Sequence, residues 1–423
     1  MKISVLTLGC KVNKYESDAI IGSLEKMDYQ VFDGLEKADV YIINTCAVTG
    51  EAEKKSRQVI AKCRKLNANA KILVCGCASQ NNKLQFEEKG VDFVGGVARK
   101  NFIPSYVSMI ERGESLQTDA FKAGLPLVFE EGENAKQTRT RAYIKIQDGC
   151  NNFCSYCIIP YLRGRSRSRD VESILQEAKA LPSFVKEIVL TGINVTDFKV
   201  EGKSGLLKLL QQLDSLGKRL RLSSLEETLV DEEFVKNLAE LENFCPFFHL
   251  SLQSGSEQVL KSMNRKYTPE EFKKSVNIIR KYFKNAGITT DVIVGFPTET
   301  DELFDESYNF IKDVGFSGLH IFQYSKRPGT AAARLNDLPS SVKKERAKKL
   351  EELDKVLRQR FISQNEKVSV LVEEKEGEFY VGYSKNYIKC HIKSDKDIVG
   401  QVVLARIVKP YLEGAEAEIL KNN

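Results

Sequence analysis

Histidine is scarce in this chain. Its 423 residues include three histidines, His249, His320 and His391, and none of them lies near the closest group of cysteines in the sequence. A structural zinc site usually takes four ligands from paired Cys or Cys/His motifs, so a mixed Cys/His zinc site is poorly supported here. Histidine is also the side chain most often used in acid–base catalysis, and its scarcity favours chemistry that depends on a cofactor.

Long apolar runs are missing as well. No stretch reaches the roughly 18 consecutive apolar residues of a membrane span, and residues 1–10 lack the apolar core and cleavage site of a secretory signal. We therefore expect a cytoplasmic protein without membrane association. In that reducing compartment, the ten cysteines bind metal more often than they form disulfides.

Three cysteines, Cys150, Cys154 and Cys157, are crowded into Asp148-Gly-Cys-Asn-Asn-Phe-Cys-Ser-Tyr-Cys. Their C-x3-C-x2-C spacing offers three thiolates from one loop, which can hold three irons of a [4Fe-4S] cube and leave the fourth iron open to a ligand. A zinc site, or a set of unrelated buried thiols, is the alternative. The spacing and the lack of a nearby histidine favour an iron–sulfur cluster that performs chemistry.

Positive charge is concentrated around this loop. Residues 136–169 carry eight Lys or Arg against one acid, a local +7 in a chain whose net charge is +6. The run from 163 to 169 contains Arg163, Arg165, Arg167 and Arg169. A solvated basic face is the alternative, but beside a reactive centre these arginines predict an RNA-binding surface.

The first hundred residues alternate strand and helix patterns. Apolar runs at 3–8, 39–44 and 71–75 are separated by helical patterns at 17–27 and 51–65, which predicts a Rossmann-like parallel sheet in a domain spanning residues 1–112.

Cys10, Cys46 and Cys77 each follow one of these predicted strands. The carboxyl ends of neighbouring parallel strands lie along one edge of a sheet, so we expect the three thiols to converge in a second metal site. Cys75 is a rival to Cys77, although it belongs to the strand itself. The alternative is that each cysteine is a small buried residue.

A linker is predicted at 113–140, followed by a second domain at 141–363. Six apolar runs, at 142–147, 187–191, 220–225, 247–252, 289–294 and 318–324, predict a partial (β/α)6 barrel whose first strand leads directly into the cysteine loop. Polar or small residues in the loop and at the strand ends outline a cofactor pocket: Tyr156, Gly192, Asn194, Glu226, Gln253 and Ser254.

The last segment changes period again. After a charged helical pattern at 342–363, five short strand patterns predict a small β-barrel at 364–423. Tyr380, Tyr383 and Tyr387 could stack on RNA bases or fill the barrel. The overall class is therefore α/β, with the oligomeric state left open.

Motifs across nearly the whole chain resemble the methylthiotransferase family of radical S-adenosylmethionine (SAM) enzymes. They are Leu8-Gly-Cys-Lys-Val-Asn13, Asn44-Thr-Cys-Ala-Val48, Gly76-Cys-Ala, the cysteine loop with the following Ile158-Ile-Pro-Tyr and Arg163-Gly-Arg-Ser-Arg, and His249-Leu-Ser-Leu-Gln-Ser-Gly255. The first two motifs resemble the branch that acts on N6-threonylcarbamoyladenosine. One departure is Thr191-Gly-Ile-Asn194, where many radical SAM enzymes have Gly-Gly-Glu.

The resemblance implies two [4Fe-4S] clusters, SAM as cofactor, and a C-terminal TRAM domain. Cys150, Cys154 and Cys157 would hold the cluster that cleaves SAM, and the triad that includes Cys46 would hold the cluster that delivers sulfur. The product would carry a methylthio group on C2 of the modified adenosine at tRNA position 37, in the anticodon loop. An external electron donor and an unidentified sulfur donor are implied as partners.

Two other functions remain open from the sequence. A methylthiotransferase for isopentenyladenosine in tRNA or for a ribosomal protein aspartate would share every cysteine. A non-catalytic RNA-binding protein with structural metal would bind tRNA without consuming SAM.

Overall fold

The computed structural model describes residues 1–116, 124–132 and 134–420. Residues 117–123 and 133 of the predicted linker, and residues 421–423 of the predicted C-terminal domain, lie outside the described residues. The α/β class and the three predicted architectures are confirmed: a parallel sheet, a partial (β/α)6 barrel and a closed β-barrel follow one another along the chain. Within the described ranges, no helix has both the length and the apolar surface that a membrane crossing requires.

The N-terminal unit is a five-stranded parallel sheet with helices on both faces. Its elements are β1 (Lys2–Thr7), α1 (Lys11–Glu25), β2 (Gln30–Asp33), β3 (Val40–Thr45), α2 (Gly50–Leu66), β4 (Lys71–Gly76), α3 (Cys77–Asn81), α4 (Leu84–Glu87), β5 (Phe93–Val94) and α5 (Ile103–Glu111).

The strand order of this sheet is β2-β1-β3-β4-β5, with Val5 paired to Ile42 and Ile43 to Val74. All residues of the central strand β3 are buried, as expected for a strand covered on both faces. Helices α1 and α5 cover one face, and α2, α3 and α4 cover the other. The winding direction changes between β1 and β3, and ligands bind at such a switch point in open α/β sheets.

The central unit consists of parallel wall strands followed by helices, with two small antiparallel strand pairs in its loops. Its strands are β6 (Arg141–Lys145), β7 (Gln147–Asp148), β8 (Arg167–Ser168), β9 (Glu187–Thr191), β10 (Lys199–Val200), β11 (Lys203–Ser204), β12 (Arg219–Leu222), β13 (Ser224–Leu225), β14 (Phe247–Leu250), β15 (Gly287–Val294) and β16 (Gly318–Gln323). Its helices are α6 (Ile159–Arg163), α7 (Val171–Lys179), α8 (Leu206–Asp214), α9 (Glu232–Ala239), α10 (Glu257–Ser262), α11 (Pro269–Tyr282), α12 (Asp301–Val314) and α13 (Ser340–Ser363). The antiparallel pairs are β7 with β8 and β10 with β11.

The barrel wall is formed by two parallel sheets, β6-β9-β12 and β13-β14-β15-β16, which are continuous because β12 and β13 are almost consecutive in the chain. A large apolar core lies between these strands and their helices, with Leu190, Phe248 and Phe272 fully buried. The predicted six strands are all present, each within a few residues of its predicted position. The cysteine loop leaves the wall at the carboxyl end of β6.

The C-terminal unit is a closed five-stranded barrel, β17 (Lys367–Glu376), β18 (Phe379–Ser384), β19 (Lys389–Ile392), β20 (Val402–Tyr411) and β21 (Gly414–Ile419). It docks at the amino end of β12, where Arg219 Nη2 donates to Ser369 O at 3.0 Å and Arg221 Nη1 donates to Lys385 O at 3.1 Å. The end of the central barrel that carries the cysteine loop is therefore the opposite one.

The tyrosines predicted to stack on RNA or to fill this barrel have different roles. Tyr380 is buried in the barrel core. Tyr383 and Tyr387 stack on each other at 4.6 Å between ring centroids, with the guanidinium group of Arg141 over Tyr383 at 4.8 Å. Phe247 packs on Tyr387 at 4.5 Å. Two of the three tyrosines therefore help join the C-terminal unit to the central barrel.

Candidate iron–sulfur sites

The loop that carries Cys150, Cys154 and Cys157 is held in one conformation by its neighbours. Gly149 has a φ of +71°, and a Cβ there would lie 2.1 Å from Arg165 O, so only glycine fits before Cys150. Further along the loop, the backbone N–H of Ser155 donates to Met263 O at 2.9 Å, and Asn264 Nδ2 donates to Phe153 O at 3.1 Å. The turn after α10 thus fixes the loop from outside.

The three thiols of this loop lie close enough to influence one another. Burial raises the pKa of Cys150 to about 11 and that of Cys157 to about 12, and the charge of Cys154 adds to both increases. Arg265 Nη1 donates to Cys154 Sγ at 3.4 Å. Three buried or half-buried thiolates that repel one another are stabilised by a shared cationic centre, which is what an iron–sulfur cluster provides.

Each thiolate that holds a cubane binds a different iron, unlike the ligands of a single ion. In the part of the chain that the structure describes, no three Cys, His, Asp or Glu side chains converge tightly enough to hold one metal ion.

A cleft, here called the central cavity, opens beside this loop. Tyr156, Cys157 and Gln253 line it from the barrel side, and Val48 and Thr49 line it from the N-terminal sheet. Asp291, Ile293, Phe322, Gln323, Tyr324, Ser325, Arg327, Ile158 and Ile159 complete its wall. The cavity therefore lies between the cysteine loop and the N-terminal domain and mixes apolar with polar groups, as a pocket for a nucleoside or cofactor does.

The predicted cofactor residues fall into separate groups. Tyr156 and Gln253 line the central cavity. Glu226 contacts the cysteine loop, because its Oε1 accepts from Asn152 Nδ2 at 2.5 Å and lies 3.2 Å from Arg265 Nη1. Asn194 Nδ2 donates to Glu226 Oε2 at 3.4 Å. Glu226 and Asn194 therefore lie beside the cysteine loop, in one hydrogen-bonded group with Asn152.

Gly192 and Ser254, which were also predicted to bind the cofactor, instead shape the backbone of their own loops. A Cβ at Gly192 would lie 2.9 Å from Gln147 Oε1, which already accepts from the Asn194 N–H at 2.8 Å. Ser254 is fully buried, and its hydroxyl accepts from the Ser256 N–H at 3.2 Å. Ser254 therefore supports a turn and does not line the central cavity.

Cys10, Cys46 and Cys77 are brought together at the carboxyl edge of the N-terminal sheet. Cys10 immediately precedes α1, Cys46 follows β3, and Cys77 begins α3. Burial raises the pKa of Cys46 to about 11, and the charges of Cys77 and Cys10 add to it. The three thiols thus face one another along the carboxyl edge of the sheet, and Cys10 and Cys46 follow β1 and β3, the strands on either side of the switch point.

Two glycines allow the loops that carry these three thiols to come close together. Gly9 and Gly76 have φ of +101° and +105°, and a Cβ at Gly76 would lie 2.5 Å from Thr45 O. The side chain of Cys75 lies on the opposite face of the sheet, in the apolar core with Val5 and Phe93. The structure therefore favours Cys77 over Cys75 as the third thiol of this triad.

The two thiol triads are packed against each other. Helix α3, which begins at Cys77, packs on α6, and Cys77 and Cys157 belong to one apolar cluster with Ile158 and Leu162. The backbone N–H of Val48, a residue of the central cavity wall, interacts with the Cys46 thiol. Cys157 therefore lines the central cavity directly, and the second triad adjoins it through Val48.

The prediction of an exposed RNA-binding strip at 163–169 is wrong for three of its four arginines. Arg163, Arg167 and Arg169 are buried, and Arg169 is paired with Glu177. Arg165 alone of the four is exposed, with its guanidinium 4.4 Å from the Phe153 ring centroid. Charge density along the sequence could not reveal that Asp148 of residues 136–169, together with Glu16 and Glu177 from other segments, pairs with the buried arginines.

Several residues that the sequence did not single out support both sites. Asn13 Nδ2 donates to Leu8 O at 2.7 Å and to Thr45 O at 2.9 Å, which joins the loops before Cys10 and Cys46. Glu16, one turn further along α1, pairs with Arg163 at 3.0 Å. Asn13 and Glu16 follow Cys10 at helical spacing, and that pattern in the sequence could have identified them as residues near the site.

A loop of the form C-x3-C-x2-C after the first strand of a partial (β/α)6 barrel defines a radical SAM enzyme. The Radical SAM superfamily model matches residues 144–311, and the model of Uncharacterized protein family UPF0004 matches residues 2–96. The structure is similar to that of a radical SAM methyltransferase, TsrM from Kitasatospora setae, with a TM-score of 0.58 and 14% identity over 78% of this chain and 76% of that one.

Curated relatives define the family more closely. The threonylcarbamoyladenosine tRNA methylthiotransferase MtaB of Bacillus subtilis is 40% identical, over 98% of this chain and 96% of the relative, and that of Thermotoga maritima is 39% identical, over 92% and 90%. A tRNA-2-methylthio-N(6)-dimethylallyladenosine synthase of Alkaliphilus oremlandii is 33% identical, over 99% and 93%. The chain belongs to the methylthiotransferase family of radical SAM enzymes, and SAM and a [4Fe-4S] cluster are its cofactors.

Proposed function

We propose that this protein adds a methylthio group to C2 of N6-threonylcarbamoyladenosine at position 37 of tRNA, using two [4Fe-4S] clusters. The observation that carries the proposal is that Cys157 of the first triad lines the central cavity and Val48, two residues after Cys46 of the second triad, lines it from the other domain. The higher identity to the MtaB relatives than to the dimethylallyladenosine synthase supports the choice of substrate.

The proposed division of labour follows from the position of each triad. Cys150, Cys154 and Cys157 hold the first cluster, and Glu226 lies where it can contact SAM at that cluster. When bound, the first cluster supplies the electron that cleaves SAM, and the second, on the triad that includes Cys46, supplies sulfur.

The walls of the central cavity give the chain its own part in the reaction. Tyr156, Ile293 and Phe322 offer apolar surface for a base, and the side chains of Gln253 and Asp291 offer polar groups to orient it.

The partners follow from this assignment. The anticodon loop of tRNA is the substrate, and an external electron donor reduces the first cluster. A tRNA substrate also supports the cytoplasmic location predicted from the sequence.

Cysteine variants of the anaerobically reconstituted protein test the two-site scheme. Cys154→Ala should abolish SAM cleavage, because the first cluster loses a ligand. Cys46→Ala should retain SAM cleavage and stop methylthiolation. Cys63→Ala is the matched control, since Cys63 is a buried cysteine in the same apolar cluster as Cys77 and should leave both steps intact. Equal methylthiolation by the Cys46→Ala and Cys63→Ala proteins would refute the scheme.

Mass spectrometry of tRNA nucleosides tests the substrate. In a strain that lacks the gene, the methylthio derivative of N6-threonylcarbamoyladenosine should be absent, and it should return with the wild-type chain but not with Cys46→Ala. Loss of the methylthio derivative of dimethylallyladenosine instead would assign the protein to the other tRNA branch. An unchanged nucleoside profile would rule out both tRNA substrates.

A further inference from the structure

The guanidinium of Arg163 contacts a proposed ligand of the second cluster, although Arg163 belongs to the domain that carries the first. Arg163 Nε donates to Cys77 Sγ at 3.2 Å. The side chain of Arg163 is 0% exposed, so this hydrogen bond has no competition from water. Arg163 is the last residue of α6, which packs on the helix that begins at Cys77.

The other nitrogens of Arg163 are fixed by groups from both domains. Nη2 donates to Asn13 Oδ1 at 2.7 Å, and Nη1 donates to Glu16 Oε1 at 3.0 Å and to Asp148 Oδ1 at 3.1 Å. Asn13 and Glu16 follow Cys10 on α1, and Asp148 precedes Cys150. Every guanidinium nitrogen therefore has a partner, and the Nε–H is aimed at sulfur.

The buried ion-pair network around Arg163 carries more positive than negative charge. Four cations meet two carboxylates within it, namely Lys100, Lys145, Arg163 and Arg167 with Glu16 and Asp148. Lys145 is 2.7 Å from both carboxylates, and Arg167 is 3.2 Å from Asp148. Buried charge without compensation is strongly unfavourable, so the excess of two positive charges calls for an anionic neighbour.

We propose that Arg163 is a positioning residue for the second cluster: it donates to the Cys77 sulfur and raises the reduction potential of that cluster. The inference rests on the proposed function, which places a cluster on Cys10, Cys46 and Cys77. Reduction adds negative charge to a cluster, and hydrogen bonds to its sulfurs together with nearby positive charge stabilise the reduced form. The thiolates and the cluster also bring negative charge to the network, and more of it in the reduced form.

A redox titration followed by electron paramagnetic resonance tests this role. The full-length protein with Cys150→Ala, Cys154→Ala and Cys157→Ala isolates the second cluster's signal. In that background, Arg163→Met is combined with Glu16→Gln so that the net buried charge is unchanged, and Arg163→Lys is a milder variant that keeps the charge. Arg165→Gln, an exposed arginine of the same segment, is the matched control.

We expect the midpoint potential to shift to more negative values in the paired variant and, by less, in Arg163→Lys, with the control at the parent value. Equal midpoints in all four proteins would overturn the role of Arg163 and leave the second cluster in place. A parent protein that binds no iron would instead refute the second cluster and the proposed function with it.

Discussion

The backbone at Gly9 provides a sharp test of the triad formed by Cys10, Cys46 and Cys77. Gly9 has a φ of +101°, and a Cβ at this residue would lie 2.6 Å from both Cβ and Sγ of Cys46. Gly9→Ala therefore adds backbone strain of about 1–2 kcal/mol and, more importantly, a steric overlap with a proposed cluster ligand.

The overlap can be compared with the tolerance of a metal site. An ordinary van der Waals contact begins near 3.4 Å, so Cys46 must move by about 0.8 Å to admit the new methyl group. Ligand distances in a metal site vary by only about 0.2 Å. The displacement is several times larger than the site allows, and the methyl group lies against the ligand atom itself, so we expect the second cluster to be lost.

Iron and sulfide counting after anaerobic reconstitution measures this effect. Gly9→Ala should hold one cluster in place of two and should still cleave SAM, because the first cluster belongs to the other domain. Gly34→Ala is the matched control, since Gly34 has a φ of +134° but no heavy atom within 4 Å of its Cβ position. If the two variants bind equal amounts of iron, Cys46 is not a cluster ligand in the geometry described above.

Two further predictions concern stability. Glu227→Gln should raise the free energy of unfolding by about 3 kcal/mol near pH 8, because burial raises the pKa of Glu227 from 4.5 to about 7. The stability given by the protonated acid is complete below pH 4.5 and is lost as the pH rises through 7. Denaturant titrations near pH 5 should therefore show a smaller difference in unfolding free energy between Glu227→Gln and the wild type. The control Glu240→Gln changes an exposed glutamate and should show no such difference. Arg221→Met should lower the free energy of unfolding by about 3–5 kcal/mol, because it leaves buried Glu187 unpaired and removes hydrogen bonds to the C-terminal barrel. Limited proteolysis should then separate the C-terminal barrel from the rest of the chain faster than in the wild type. Adding Glu187→Gln should recover part of that loss, and a fully stable Arg221→Met protein would contradict this account of the interface.

The repeating patterns of the sequence predicted most of the fold. Alternation of apolar runs and helical patterns located every strand of the central barrel wall, because parallel strands buried on both faces form short continuous apolar segments. The cysteines followed from the same logic, since the carboxyl ends of parallel strands share an edge. Cys10, Cys46 and Cys77 could be grouped from 31- and 36-residue separations alone.

The charged residues could not be assigned in this way. The local charge around 163–169 resembled a nucleic-acid surface, yet Arg163 and Arg169 are compensated by Glu16 and Glu177. These partners are 147 and 8 residues away in sequence. Whether a charged run is solvated or buried depends on tertiary partners, and no local pattern records them.

One short segment ties the two sites together, and this constrains how sulfur reaches the substrate. Asp148 precedes Cys150 and pairs with Arg163, which donates to Cys77 on the other domain. Because α3 packs directly on α6, the distance between the triads is set by packed side chains and not by a flexible connection. The second cluster proposed above, held so rigidly, is not expected to carry sulfur across a gap. Under the proposed function, we therefore expect the substrate base to enter the central cavity beside Cys157, so that substitutions in the wall of that cavity change which modified adenosine is accepted.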